Sequence, residues 1–275
     1  TKRGINAAKS AKKPFFININ ISDPHKPFWK PGDAHPTSKI YKAEDVPVPG
    51  FLHDDPVIRK ELALYYSSVR RADDCVGAIM KALNESGLLN STVVFFLSDH
   101  GMPLPFAKTQ LYHHSTNTPL IVRWSGITEP GSVNDSYMVS AIDLLPTFLS
   151  IAGIDYSDNS GPSGPRSMQG KSFLPVIKGS LKQPLSSAIF KEYNENSGGV
   201  RNPMRGVQTA QYLYLFNPWS NGKRTMATAT NGTATWKRML ALASENETIR
   251  KRVDVMRYRT VEELYDINND PDCLL

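Results

Sequence analysis

The sequence predicts an α/β fold, in which a sheet is flanked by helices, followed by a smaller part with a short antiparallel sheet. Two observations predict the larger part: a long helical pattern of apolar residues leads into a short apolar strand, and a second helical pattern follows the next strand. Beyond about residue 180, short apolar runs follow one another across turn residues, which is typical of antiparallel strands. We therefore expect a large domain over residues 1–180 and a small α+β domain over 181–275.

The first predicted strand covers Pro14–Ile21, which is rich in aromatic and β-branched residues. Because Pro24 cannot donate a hydrogen bond to a strand ladder, His25 should lie just past the end of this strand. Residues 26–54 then contain seven prolines or glycines, too many for regular structure. We expect a long functional loop there.

The strongest helix signal starts at Asp55-Pro56, where a side-chain acceptor at the cap precedes a proline in the first turn. Apolar residues then recur at three- and four-residue steps as far as Gly87, a residue suited to a helix C-terminus. This helix should carry Cys75 on its core side. It leads into a buried strand over residues 92–98.

The remaining elements are shorter. Residues 119–124 should form a third strand, Ser140 and Gly153 should bound a second helix, and the composition of 157–170 indicates a flexible loop. The predicted elements of the small domain are strands at 187–193, 206–209 and 212–216 and a polar helical piece at 236–252.

The composition is that of an ordinary globular protein: 275 residues with 40% hydrophobic and 21% charged residues can bury a sizeable core. No apolar run reaches the roughly 18 residues of a membrane helix, so we expect no membrane span. The net charge of +6 favours anionic partners, but no nucleic-acid motif accompanies the basic residues, so we expect no nucleic-acid partner. Two cysteines cannot build a disulfide framework or a thiolate zinc cluster.

The most informative motif is Asp99-His100-Gly101, which ends the apolar run 92–98. A carboxylate and an imidazole at the end of a strand are metal ligands, and both can reach one ion if the chain bends sharply at Gly101. The alternative is an Asp that caps a turn beside a hydrogen-bonded His. We expect Asp99 and His100 to bind a metal ion.

Two further side chains are expected at the same cleft. Lys108 follows two stiffening prolines, Pro103 and Pro105, and its ammonium group could hold an oxyanion. His25 could bind the same oxyanion or protonate a leaving group, because imidazole titrates near neutral pH. The alternatives are a solvated lysine and a hydrogen-bonded loop histidine.

A cation, a lysine and a histidine together suit the displacement of a tetrahedral oxyanion such as sulfate or phosphate. The chain offers no nucleophile for that reaction. It contains no Gly-x-Ser-x-Gly turn and no glycine-rich phosphate loop, and neither cysteine has an activating base in its local sequence.

Five segments resemble motifs of the type I sulfatases of the alkaline phosphatase superfamily. They are Asp-Pro-His-Lys-Pro at 23–27, Leu-Ser-Asp-His-Gly-Met-Pro at 97–103, Lys-Thr-Gln-Leu-Tyr at 108–112, Asn-Thr-Pro-Leu-Ile-Val at 117–122 and Asp-Leu-Leu-Pro-Thr at 143–147. The spacing before Lys108, the stretch 46–49 and Pro203-Met-Arg-Gly-Val-Gln are most similar to the heparan N-sulfatase (sulfamidase) branch. Residues 263–271 match a motif near the C-terminus of the family.

The resemblance implies an alkaline-phosphatase-like mixed sheet and a role for each candidate. Asp99 and His100 would bind a divalent ion, expected to be calcium, with magnesium or manganese as alternatives. His25 and Lys108 would bind the sulfate group and act in catalysis. The sulfamidase branch usually carries Asn and Arg at the positions of His100 and Lys108. Two metal-binding aspartates and the cysteine that becomes formylglycine lie upstream in the family, so we expect a fragment cut at both ends, inactive alone.

The resemblance also implies a sulfated sugar as the substrate. His113 and Arg205 would line the sugar subsite, and the alternative for each is an ordinary surface residue. A homodimer is possible, and the expected location is periplasmic, secreted or lysosomal. Arg238 is expected to be ordinary surface. Two alternatives remain: a phosphate mono- or diesterase of the same superfamily, and a non-catalytic descendant that binds anionic glycans.

Overall fold

The computed structural model describes residues 2–156, 160–161, 164–165, 168–181, 186–196 and 199–275, so half of the predicted loop 157–170 lies outside the described residues. The helices are α1 Lys2–Ala11, α2 Pro56–Glu85, α3 His113–Thr116, α4 Leu144–Ile151, α5 Leu174–Ile177, α6 Ala234–Leu242 and α7 Glu247–Tyr258. The strands are β1 Val94–Leu97, β2 Leu120–Arg123, β3 Ser160–Gly161, β4 Gly164–Pro165, β5 Ile189–Tyr193, β6 Met204–Gln208, β7 Tyr212–Phe216 and β8 Glu262–Asp266. No helix within these ranges is both long and apolar enough to cross a membrane.

Helix α2 forms where the sequence predicts it. The Asp55 side chain accepts a hydrogen bond from the Val57 N–H at 2.8 Å, Pro56 occupies the first turn, and Gly87 adopts a φ of +76° just beyond the end. The placement of Cys75 on the core side is wrong, because this residue lies beside the apolar stripe and is exposed. The other cysteine, Cys273, is a buried free thiol.

The strand predicted at Pro14–Ile21 does not form. The segment has no strand partner within the described residues, and Phe16 is 73% exposed, although Phe15 and Ile17 pack against the side of α2. Aromatic and β-branched residues favour an extended backbone locally, but a strand also needs a neighbouring strand to receive its hydrogen bonds. His25 therefore lies in a turn, with its N–H bonded to the Ser22 carbonyl at 2.9 Å.

Strands β1 and β2 confirm the predictions at 92–98 and 119–124, and they pair antiparallel with Phe95 opposite Val122. The expectation of a fully buried β1 is wrong: Leu97 is 42% exposed. Phe95 packs edge-on against Phe148 of α4 at 5.0 Å between ring centroids, so the strand is covered on that face.

The C-terminal part contains a four-stranded antiparallel sheet with the order β5-β6-β7-β8. Strands β5, β6 and β7 confirm the predicted runs within two residues at their ends, whereas the sequence analysis did not predict β8. The single helical piece predicted at 236–252 is two helices, because the Asn246 side chain accepts from the Ile249 N–H and starts α7.

One hydrophobic core joins the parts. It draws Leu62 from α2, Phe106 and Tyr112 from the loop after β1, Leu213 from β7 and Met256 from α7, all buried. The division at residue 180 stays a prediction, since core residues come from both sides of it.

Helix α2 is also tied to α6 by polar contacts. The Glu61 carboxylate accepts from the backbone N–H groups of Ala234 and Thr235, and the Arg238 Nε donates to Asp55 at 2.9 Å. Arg238 is therefore not ordinary surface: it supports the buried carboxylate that caps α2.

Candidate functional site

The chain leaves β1 at Leu97 and turns immediately, which presents Asp99 and His100 beside the sheet. The Ser98 hydroxyl donates to the His100 carbonyl at 2.8 Å and fixes this turn. The Asp99 side chain is 85% exposed, and one of its oxygens lies 3.5 Å from the His100 Nε2. The two predicted metal ligands are thus neighbours that face the same space.

The hydrogen bond at the other ring nitrogen selects the tautomer of His100. Its Nδ1 lies 2.8 Å from the Gly101 carbonyl oxygen, which can only accept, so Nδ1 carries the proton in the neutral ring. The lone pair is then on Nε2, the nitrogen near Asp99. A backbone carbonyl bound to the far nitrogen is the usual way in which a metal-binding histidine is oriented.

Gly101 brings the strand end against the segment that starts α3. Its N–H donates to the Ser115 carbonyl at 2.8 Å, and an added Cβ would meet the His114 carbonyl oxygen at 2.4 Å and the Ala107 carbonyl oxygen at 3.1 Å. Its φ is not in the left-handed region. Glycine is required here for close approach of backbones, not for the sharp bend that the sequence suggested.

Lys108 lies on the loop that Gly101 contacts, one residue after Ala107. Most of this loop is buried, with Leu104 and Phe106 fully inside, while Lys108 is half-buried. Phe106 and Thr109 both adopt left-handed backbone angles, with φ of 67° and 66°. Such angles in residues with a side chain persist only where the surroundings hold them, and they are common at functional sites.

The loop that carries His25 is anchored to α2. The Asp23 carboxylate accepts two hydrogen bonds from Arg71, at 2.6 and 2.8 Å, in a largely buried ion pair. His25 is exposed, and its Nδ1 lies 2.7 Å from the Lys26 carbonyl oxygen, so its Nε2 is the free nitrogen of the neutral ring.

Lys26 is a candidate that the sequence analysis missed. Burial lowers the pKa of its ammonium group, Glu61 raises this pKa, and the charge of Lys108 lowers it. The pKa of Lys26 thus responds to the charge of Lys108. Two interacting ammonium groups favour an oxyanion near them, and the signal in the sequence was the position of Lys26 inside Asp-Pro-His-Lys-Pro.

The two predicted sugar-subsite residues make other contacts. His113 places Nδ1 3.4 Å from Gln208 Oε1 and accepts from the Asn117 amide at 3.1 Å, and burial lowers its pKa. Arg205 donates to Asn194 Oδ1 and to backbone carbonyls of its own sheet, on the exposed face. No contact between the described residues joins either side chain to Asp99 or Lys108.

The described residues contain no group of three or more His, Cys, Asp or Glu side chains able to hold a metal ion. Asp99 and His100 supply two donors, a carboxylate oxygen and an oriented imidazole nitrogen. This pair fits a divalent cation as one part of its ligand set, and the other ligands must come from elsewhere.

Two family models match the chain. One, described as sulfatase, covers residues 1–154, and the other, described as N-sulphoglucosamine sulphohydrolase, C-terminal, covers residues 99–221. The chain belongs to the sulfatase family. The sequence resemblance to type I sulfatases is thereby confirmed, and the second family supports the similarity to the sulfamidase branch.

Curated relatives of this sulfatase-family chain include the human N-sulphoglucosamine sulphohydrolase, 30% identical over 74% of the chain and 44% of that protein. An endo-4-O-sulfatase from Bacteroides thetaiotaomicron is 30% identical over 75% of the chain and 43% of that protein. An ulvan-active sulfatase from Formosa agariphila is 26% identical over 94% and 47%. The chain spans somewhat less than half the length of these relatives.

Solved structures confirm the predicted fold class. A protein from Bacteroides fragilis matches with a TM-score of 0.62 and 22% identity, over 100% of this chain and 52% of that one. A protein in complex with its substrate D-glucosamine-2-N,6-O-disulfate matches with a TM-score of 0.53 and 20% identity, over 81% of this chain and 38% of that one. A phosphonate monoester hydrolase from Agrobacterium radiobacter shares the fold, with a TM-score of 0.52, 18% identity and coverage of 79% and 37%.

Proposed function

We propose that the protein to which this chain belongs hydrolyses a sulfate ester or sulfamate on a sugar. The observation that carries the proposal is the contact through Gly101, which brings the Asp99–His100 pair next to the Lys108 loop in a member of the sulfatase family. A cation site beside a loop that carries a half-buried lysine can bind and polarise a tetrahedral oxyanion.

The substrate class follows from the relatives. The human relative is named for N-sulphoglucosamine, and a structurally similar protein was solved with a glucosamine disulfate as its substrate. We assign a sulfated amino sugar to this protein as its substrate, with His113 and Arg205 kept as candidate subsite residues. The contacts that both already make argue for a supporting role.

Asp99 and His100 would hold the metal ion, with calcium as the first assignment and magnesium or manganese as alternatives. The imidazole ligand is unusual for calcium, which prefers oxygen donors. The ion, when bound, would withdraw electron density from the sulfate oxygens and so assist attack on sulfur.

The residues of this chain then have distinct roles. Lys108 and Lys26 supply positive charge around the sulfate group, which stabilises the negative charge on its oxygens and on the attacking and leaving atoms in the transition state. His25, when its ring is protonated at the exposed Nε2 as well, can give that proton to the departing oxygen or nitrogen. The nucleophile would be a formylglycine, as the resemblance implies. In the family it lies upstream of the segment that corresponds to these 275 residues.

Location and assembly belong to the same proposal. Sulfated glycans are extracellular or lysosomal polymers, so we place the protein in the periplasm, in the lysosome or outside the cell, and we include a homodimer in the proposal. The large part up to residue 180 would complete the catalytic domain, and the part from 181 would be the small C-terminal domain.

The decisive experiment compares Lys108→Ala with Lys237→Ala in the full-length protein. Lys237 is exposed on α6 and serves as the matched control. Turnover of a glucosamine sulfate should fall by roughly 100-fold or more for Lys108→Ala, because a charge needed in the transition state is lost. Equal turnover of the two variants would remove Lys108 from the site.

The same assay separates the alternatives. A phosphate or phosphonate esterase should turn over an aryl phosphate or phosphonate faster than the matched aryl sulfate. A glycan-binding descendant should bind heparan sulfate fragments without releasing sulfate. Either result would replace the sulfatase assignment for this protein.

A further inference from the structure

The Lys108 loop is held from beneath by a buried arginine that lies far away in sequence. The Arg259 guanidinium group is fully buried, and its Nη1 donates to Gln110 Oε1 at 2.6 Å. The same group lies over the Tyr112 ring, 4.5 Å from the centroid. Arg259 thus contacts two side chains of one short segment, which starts two residues after Lys108.

Arg259 is itself fixed by an ion pair. Its Nε lies 3.2 Å from Glu263 Oε1, and Glu263 accepts hydrogen bonds from the Tyr265 hydroxyl at 2.7 Å and the Asn217 amide at 2.8 Å. Both charged groups are nearly or fully inaccessible to solvent. The Nε and Nη2 atoms of Arg259 have no hydrogen-bond partner among the described residues, so the guanidinium group is held by the ion pair, the bond to Gln110 and the Tyr112 ring.

A second buried cation holds the residue between the two. The Lys191 ammonium group donates to the Leu111 carbonyl at 3.5 Å and to Gln208 Oε1, which also lies 3.4 Å from His113 Nδ1. Four consecutive residues, 110–113, are therefore held by groups from β5, β6 and the segment after α7. We call Arg259, Glu263 and Lys191 the C-terminal clamp.

The clamp lies next to a loop whose backbone is strained. Phe106 and Thr109, on either side of Lys108, adopt backbone angles that residues with a side chain rarely take. These two residues have contacts of their own: the Ser115 hydroxyl donates to the Phe106 carbonyl at 2.8 Å, and the Ala229 N–H donates to Thr109 Oγ1 at 3.2 Å. The clamp contacts the next residues, 110–113, and so holds the C-terminal end of the strained stretch.

We propose that Arg259, paired with Glu263, is a positioning residue that sets the place of the Lys108 ammonium group through Gln110 and Tyr112. The local ordering stands on the contacts alone. Its catalytic consequence rests on the proposed function, in which Lys108 binds the sulfate group.

Hydrogen exchange on the full chain tests the ordering. Gln110→Ala removes the loop side of the contact and leaves the ion pair intact, while Arg259→Gln removes the support. In both variants, the amides of 108–113 should exchange at least 10-fold faster, with β6 and β7 unchanged. Arg250→Gln is the matched control, because Arg250 is exposed on α7. If Arg259→Gln does not fold, Gln110→Ala decides.

Unchanged exchange at 108–113 in folded Gln110→Ala would overturn the proposal. A uniform increase over the whole chain would also overturn it, because that result describes a general loss of stability instead of a local support.

A double-variant cycle in the full-length protein tests the catalytic consequence. Gln110→Ala should lower kcat about 10-fold with KM within about twofold, and it should have no further effect when added to Lys108→Ala. Effects that multiply would show that Gln110 does not act through Lys108. If Lys108→Ala alone leaves turnover unchanged, the proposed function fails, and the exchange result still stands or falls separately.

Discussion

The structural role of a single residue is sometimes not apparent from its neighbours in the sequence. His114 was one of a pair of histidines in a polar stretch, yet its ring stacks on Phe51 at 3.9 Å between centroids and 7° between planes. Burial lowers its pKa to about 4. It therefore acts as an aromatic core residue that can still accept a proton.

This burial makes stability sensitive to acid. The unfolded chain takes up a proton at His114 near pH 6.5, whereas the folded chain takes it up only near pH 4, so stability from this group falls as the pH drops between those values. His114→Phe should remove up to roughly 2 kcal/mol of the loss measured by urea unfolding from pH 7 to 4.5. His35→Phe, at an exposed position, is the control. Identical pH slopes for both variants would contradict the assignment.

Prediction at the residue scale was correct where the partners are close in sequence and wrong where they are not. The adjacency of Asp99 and His100 could be read from the sequence, and their side chains lie 3.5 Å apart in the structure, while their role as metal ligands stays a prediction. Arg238 was misjudged because its partner, Asp55, is 183 residues away. The contact between Arg259 and Gln110 joins residues that are 149 positions apart, and neither local sequence indicates it.

At the scale of elements, two positions depend on specific contacts that a single substitution would disrupt: the start of α2 and the turn after β1. Arg238→Ala should leave the buried Asp55 carboxylate with fewer partners and lower the free energy of unfolding by about 1–2 kcal/mol. Lys237→Ala, one position away and exposed, should change it by less than about 0.5 kcal/mol. Urea unfolding of both variants makes the comparison, and equal midpoints would show that the Arg238–Asp55 contact contributes nothing.

The turn after β1 gives a second comparison. Gly101→Ala would place a carbon 2.4 Å from the His114 carbonyl oxygen, and backbone cannot move away cheaply, so we expect a loss of about 1–3 kcal/mol. Gly77→Ala, in α2 with no atom within 4 Å of the new carbon, should gain about 0.5–1 kcal/mol. Thermal melts report both signs, and a stable Gly101→Ala variant would mean that the backbones do not approach as described.

Elements were predictable in proportion to how local their signals are. Helix α2 follows from its cap, its first-turn proline and its apolar spacing, all within 33 residues of sequence from Asp55 to Gly87. Pro14–Ile21 has equally good strand residues, but a strand is defined by a neighbour, and the described chain supplies none. The break between α6 and α7 depends on one asparagine, Asn246, whose side-chain bond the apolar pattern does not reveal.

At the scale of the whole molecule, the proposed metal site would need ligands from beyond these 275 residues. The described residues offer it two donors, Asp99 and His100, so calcium should bind this segment alone with a Kd no tighter than about 1 mM. The full-length protein should bind it more tightly, and Asp99→Asn should weaken that binding at least 10-fold, measured by calorimetry. Asp73→Asn, on the exposed side of α2, is the control. Unchanged affinity in Asp99→Asn would exclude this carboxylate from the site.

The contact between Arg259 and Gln110 has a consequence for the synthesis of the chain. Arg259 is synthesised 149 residues after Gln110, which takes roughly 7–30 s at about 5–20 residues per second. Leu104, Phe106 and Tyr112, all buried in the finished protein, therefore wait for the C-terminal strands and helices that complete their core. We expect the nascent polypeptide to need chaperones that shield apolar segments, and a stop codon anywhere before residue 259 to leave this core incomplete.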